Sequence, residues 1–183
     1  MTLRSNDVTY GTLARGLHWV SAALVVVLIA LGLAMTRINS GDNTTLYRLH
    51  VALGLLIAGL TIVRVIWRFV EPSPVAPPMA PWRRKLFVAN HYALYVGLLV
   101  LAATGIATLL ANDLTPFPPD VVASDVDDVR AGDAHFVLAL AYTGLLIMHI
   151  VGIATYQRSK GPVVHKMGIN LGGEHADPSR LGQ

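Results

Sequence analysis

The sequence predicts an all-α protein: an integral membrane four-helix bundle with both termini in the cytoplasm. Three observations predict it. Of 183 residues, 54% are hydrophobic and only 14% charged, where soluble domains carry roughly a quarter charged residues. Four separate stretches are apolar over the length of about 20 residues that a helix needs to cross a bilayer core. The basic residues gather on one side of those stretches.

The first span, Leu17 to Met35, contains no charged residue, and the second, Leu49 to Val70, confines Arg64 and Arg68 to its last turns. The third, Leu86 to Asn112, and the fourth, Ala134 to Gln157, contain no Asp, Glu, Lys or Arg. Each is read as a helix, because lipid offers no partner to an open backbone amide. A soluble bundle of such helices would have too little polar surface to dissolve them.

Charge sets the expected orientation. Of the 14 Lys and Arg, only Arg37, Arg48 and Arg130 fall on the side of the 36–48 and 113–133 connections, against seven Asp there. The other basic residues flank the termini and the 70–85 connection, and basic residues collect on the cytoplasmic side. The chain is therefore expected to be multi-pass, with N- and C-termini cytoplasmic. The first apolar run is too long, and lacks the small-residue cleavage site, for a cleavable signal peptide.

The connections follow from their composition. Pro72, Pro74, Pro77, Pro78 and Pro81 make 71–82 a stiff non-helical crossing. The 113–133 loop is acidic and proline-rich, with Val121–Val129 as a short surface helix. Residues 1–160 are read as one transmembrane domain, and 161–183 as a polar, Gly-rich, mobile cytoplasmic tail.

Chemistry enters with the histidines. Five of seven lie in or beside the spans: His18, His50, His91, His135 and His149. An ionisable residue at membrane depth suggests function, although an imidazole can also bond a neighbouring helix. His135 and His149 are fourteen residues apart on the fourth helix. That is about 21 Å of rise, within roughly 40° of the same face. One metal ion cannot use both, so two cofactors at two depths fit better. His50 lies level with His135 on the outer side, and His18 level with His149 on the inner side. The pairs His50/His135 and His18/His149 are thus candidate axial ligands to the iron of two porphyrins. With no cysteine in the chain, disulfides, iron–sulfur clusters and covalent c-type attachment are excluded. Such haems would be of the non-covalent b type.

Other residues fill in around these pairs. Gly54, four after His50, and Gly152, three after His149, share their histidines' faces and would let a macrocycle approach, or simply let helices pack. Arg64 and Arg68, and Arg48 beside His50, would pair with haem propionates or snorkel to phospholipid headgroups. His91, with Tyr95 on the same face, would serve a quinone headgroup or pack.

Together, His18-Trp19, Leu49-His50, Arg64-x-x-x-Arg68 leading to Pro72-x-Pro74, His91 with Tyr95, and His135 followed by His149 resemble the bacterial cytochrome b561 family. The resemblance runs from about Tyr10 to Gln157. It implies a four-helix, dihaem membrane cytochrome in which His18, His50, His135 and His149 match the haem ligands. It also implies single-electron transfer between two b haems, with ubiquinone or a similar quinone as a partner on one side. Where relatives can carry a further histidine, this chain has Ile153-Ala154-Thr155-Tyr156, a departure that leaves the quinone site open, with Tyr156 a candidate substitute donor. Related dihaem subunits anchor hydrogenases and formate dehydrogenases.

The leading expectation is a quinone-linked oxidoreductase or electron-transfer protein of the respiratory membrane. Its outer, periplasmic donor would be a small reductant such as superoxide, a redox protein or a quinol. The alternatives are an anchor subunit for a larger catalytic subunit and a haem-free small membrane protein. Membrane lipid is an expected partner and nucleic acid is not. No catalytic residue is assigned.

Overall fold

In a computed structural model of the chain, the residues described are 3–37, 44–71, 74–75, 78–117, 121, 124, 126, 129–160 and 163–169. Four helices account for most of them: α1 (Thr12–Arg37), α2 (Thr44–Val70), α3 (Pro81–Ala111) and α4 (Arg130–Lys160). A 3₁₀ turn, Val164–Met167, follows α4. No strand occurs among the described residues. All four helices have the length and composition of membrane spans, so the fold is an all-α four-helix membrane bundle.

Each helix begins four or five residues before its apolar stretch, with a first turn that carries polar or basic residues or proline. Pro81 starts α3 from the first turn, where a missing N–H costs nothing. α3 stops where the backbone N–H groups of Asn112 and Leu114 both return to the Leu109 carbonyl. Asp113 there takes a left-handed φ of 56°, a conformation that Asp tolerates better than most residues.

α1 packs on α2, α3 on α4, and α2 joins the two hairpins. The core is a midplane layer with one buried residue from each helix: Val25, Ile57, Leu98 and Tyr142. Small residues close the seams. Ser21 and Thr61 are each 1% exposed, and both hydroxyls return to a carbonyl one turn back, Leu17 and Ile57, at 2.7 Å. A Cβ on Gly97 would stand 3.1 Å from the Tyr142 ring, so α3 meets α4 closely only because that side chain is absent. Leucine, isoleucine and valine side chains such as Val26, Leu33, Ile62, Ile66, Ile147 and Ile150 point outward, where lipid would cover them.

The N-terminal segment from residue 3 and the turn at 163–169 come to the end of the bundle that carries most of the basic residues. There the Tyr10 N–H donates to the Lys166 carbonyl at 3.2 Å, and Glu71, 8% exposed, accepts from the Ser5 N–H at 2.7 Å and Trp67 Nε1 at 2.6 Å. The tail expected to be mobile from Gly161 begins differently. Residues 163–169 fold back as a turn on the N-terminal segment, while 170–183 lie outside the described residues. The Val121–Val129 helix also lies largely outside them. Val121 itself is fully buried, and its carbonyl accepts from Arg48 Nε at 3.1 Å.

Candidate functional site

The spans' histidines form two groups at opposite ends of the bundle. At the acidic end, His50 lies in the second turn of α2 and His135 in the second turn of α4. Their ring centroids lie 6.1 Å apart with planes at 80°. The two imidazoles would be available to hold one haem iron between them.

The ring of His135 is also oriented. Its Nδ1 lies 2.9 Å from the Leu101 carbonyl and 3.2 Å from Thr104 Oγ1. A carbonyl cannot donate, so Nδ1 carries the proton and Nε2 keeps its lone pair, the tautomer a metal ligand needs. His50 Nδ1 is buried with no hydrogen-bond partner, which is rare for a buried polar atom. A Cβ on Gly105 would come within 3.3 Å of His135 Cε1, and one on Gly32 within 3.6 Å of His50 Cε1. The two rings are thus seated against glycines of α3 and α1. Gly54, by contrast, faces open space, with nothing within 4 Å of an added Cβ. The residues at this end fit an axially ligated haem. Among the described residues no three His, Cys, Asp or Glu are grouped to hold a metal ion, whereas a haem iron asks only two ligands of the protein.

At the basic end, His18, His91, His149 and Arg64 lie within electrostatic range of one another. The ring contact of His18 is with Trp19 at 5.1 Å, and that of His149 is with His91 at 4.9 Å. His91 Nδ1 donates to the Phe87 carbonyl at 2.7 Å. Arg64 sits over the Tyr95 ring at 5.3 Å, and its Nη2 donates to His18 Nδ1 at 3.1 Å. A guanidinium only donates, so His18 accepts at Nδ1 and carries its proton on Nε2. This histidine becomes a neutral Nε2 ligand only when Arg64 finds another acceptor. Arg68 is exposed one turn further on, within electrostatic range of His91. Gly152 faces open space.

The quinone candidates fall in two places. His91 and Tyr95 belong to the histidine group just described. Tyr156 donates to the Pro78 carbonyl at 3.1 Å and lines a cavity of about 470 Å³ with Met79, Trp82 and Arg83. Arg48 is held against the acidic loop at Val121.

Leu101, Thr104, Gly105 and Gly32 were missed by sequence reasoning. A hydroxyl and a glycine side by side on α3, as Thr104 and Gly105 are, are common in any membrane helix. Only the rotation of α3 against α4 makes them neighbours of His135.

Comparison with known proteins decides the family. The family model described as prokaryotic cytochrome b561 matches residues 9–168. This chain belongs to the prokaryotic cytochrome b561 family. A curated relative, "Cytochrome b561 homolog 2" of Escherichia coli (strain K12), is 30% identical over 159 residues, covering 81% of this chain and 85% of that protein. No solved structure matches the chain. Membership in a cytochrome b561 family implies b-type haem and electron transfer in a membrane, and the paired imidazoles at the acidic end suit that chemistry.

Proposed function

We propose that this cytochrome b561 carries two b haems. In this reading they pass single electrons between a donor at the outer, periplasmic face and the quinone pool. The observation that carries the reading is His50 opposite His135, available to hold one iron between them, with the His135 tautomer set by the Leu101 carbonyl.

His50 and His135 would hold the outer haem, and His18 and His149 the inner one. Supporting the second pair is the fourteen-residue step from His135 to His149, matched on α2 by the step from His50 to Arg64. Arg64 therefore reaches the inner depth beside His149, where it can exchange His18 for an anionic propionate. The haem supplies a one-electron couple, and the protein binds it, orients the imidazoles and excludes water.

The basic end faces the cytoplasm by the bias of Lys and Arg. Quinone would meet the inner haem there, with either His91 and Tyr95 or the Tyr156 cavity supplying hydrogen bonds to its oxygens. Trp82 and Tyr156 offer ring surface in that cavity.

The test is a dithionite-reduced minus air-oxidised spectrum of purified protein with a pyridine haemochrome count. Two b haems per chain are expected. A colourless, folded protein made with ample haem would overturn the reading.

A further inference from the structure

Beyond His18, toward the basic end, two buried nitrogens lack partners, one on α1 and one in the turn that packs against it. The first is Arg15 Nε. Arg15 lies three residues before His18, so it shares that helix face about 4.5 Å closer to the membrane surface. The second is His165 Nδ1, in the turn of the folded-back tail.

That turn is fixed in place. Gln157 Oε1 accepts from the backbone N–H of Val163 at 2.6 Å, Trp19 Nε1 donates to the Met167 carbonyl at 3.0 Å, and Lys166 Nζ donates to the Val75 carbonyl at 2.7 Å. Gly168 takes φ 83°, and a Cβ there would stand 2.8 Å from Arg15 Nη1. The turn therefore lies directly on the Arg15 guanidinium. Trp19, which anchors it, also touches the His18 ring.

We infer that Arg15 and His165 form a carboxylate site closing the cytoplasmic end of the inner haem, where they receive its propionates. This rests on the dihaem reading. A b haem held by His18 would favour turning a carboxylate away from the apolar midplane, toward the surface. Arg15 stands one turn that way from His18. A guanidinium binds a carboxylate more strongly than neutral donors do, and a buried polar group without a partner is costly. The tail turn thereby becomes part of the cofactor site.

The experiment compares wild type with Arg15→Gln, Arg15→Lys and His165→Gln in the full chain. The haem count of the wild type comes first, because a colourless wild type overturns the dihaem reading and this assignment with it. With two haems present, redox titration and resonance Raman spectra of the propionate bending bands are recorded for each variant. Loss of positive charge beside a haem favours its oxidised form, so Arg15→Gln should lower one midpoint potential and leave the other unchanged. Arg15→Lys should restore most of that shift. His165→Gln should move the propionate bands of the same haem, with amide exchange across 163–169 unaltered.

Two haems with unmoved propionate bands in Arg15→Gln and His165→Gln would overturn the assignment alone. That is also the result expected if the two residues hold a phospholipid phosphate. A shift confined to the outer haem would overturn it as well.

Discussion

His135 stands edge-on to His50, with ring centroids 6.1 Å apart and planes crossed at 80°. The two come from helices that are not among the closely packed pairs: α4 packs on α3, and α2 on α1 and α3. The two side chains thus meet between helices whose backbones are not closely packed, the arrangement that the proposed haem would need. The prediction is a grouping of phenotypes. His50→Ala and His135→Ala should each lower the haem count from two to one and abolish the same redox transition. His18→Ala and His149→Ala should abolish the other. Pyridine haemochrome and potentiometric titration measure both quantities. Equal loss of both haems from every single variant, in folded protein, would contradict the pairing.

Gly54 gives a test of the space beside His50. A Cβ there meets nothing within 4 Å, and Gly to Leu in a helix gains up to about 1 kcal/mol of propensity. Gly54→Leu should therefore leave the helical circular dichroism intact or raise its thermal midpoint. If a porphyrin occupies the space beside His50, the same variant should lose haem at the acidic end. Gly59, exposed and equally open, is the control. Gly59→Leu should keep both haems. Full haem occupancy in Gly54→Leu would place the porphyrin elsewhere.

These two cases show what the sequence makes legible. Depth along a helix is counted in residues, so the spans and the levels of His50 and His135 follow from position alone. Rotation of one helix against another is not counted that way. The Leu101 carbonyl that orients His135 lies 34 residues away on α3, and nothing local marks it. The Arg64 bond to His18 crosses helices over 46 positions, where reasoning from i, i+4 spacing sees only Arg68. The tail turn was the hardest to anticipate. A polar, Gly-rich segment reads as solvated, and its anchors include an indole N–H on a carbonyl 148 residues away.

The Leu101–His135 bond makes a finer prediction. A Cβ on Gly105 would press on His135 Cε1 at 3.3 Å, so Gly105→Val should tilt the ring off the carbonyl. Weakening this hydrogen bond lowers the basicity of the ligand. One haem should show an altered low-spin electron paramagnetic resonance signal and a raised midpoint potential, while the other stays unchanged. Thr104→Val, which removes a hydroxyl 3.2 Å from Nδ1, should perturb the same haem less. Changes appearing in both haems equally would mean that Gly105 acts through the bundle rather than through His135.

Glu71 tests the closure of the basic end. Its carboxylate accepts from the Ser5 N–H and the Trp67 indole, tying the N-terminal segment to the last turn of α2. Glu71→Ala leaves two donors without an acceptor, and a buried donor left unpaired costs about 1–3 kcal/mol. The thermal midpoint in detergent should fall by several degrees. Glu71→Gln keeps an acceptor oxygen for one of the two donors and should fall less. Ser5 Oγ accepts from the Gly11 N–H at 2.9 Å, and the backbone crosses so closely over Gly11 that a Cβ there would strike the Leu3 carbonyl and Arg4. Gly11→Ala should therefore destabilise the same unit. Both variants should raise amide exchange in residues 3–11, and neither should change exchange near His50 and His135, because the two ends are separated by the midplane layer of Val25, Ile57, Leu98 and Tyr142.

The acidic loop predicts how electrons arrive. Residues 113–133 hold six Asp and one Arg, and Arg48 is held to that loop through the Val121 carbonyl. Its charge joins the loop's field, which stays negative. A small anionic reductant, superoxide included, should then be repelled, and a cationic one attracted. Stopped-flow reduction of the outer haem by an anionic donor should speed up several-fold as salt shortens the Debye length from about 30 Å at 0.01 M to about 8 Å at 0.15 M. Reduction by a basic redox protein should slow over the same range. The opposite pair of slopes would mean that Arg37, Arg48 and Arg130 dominate the approach, making a small anion the better substrate.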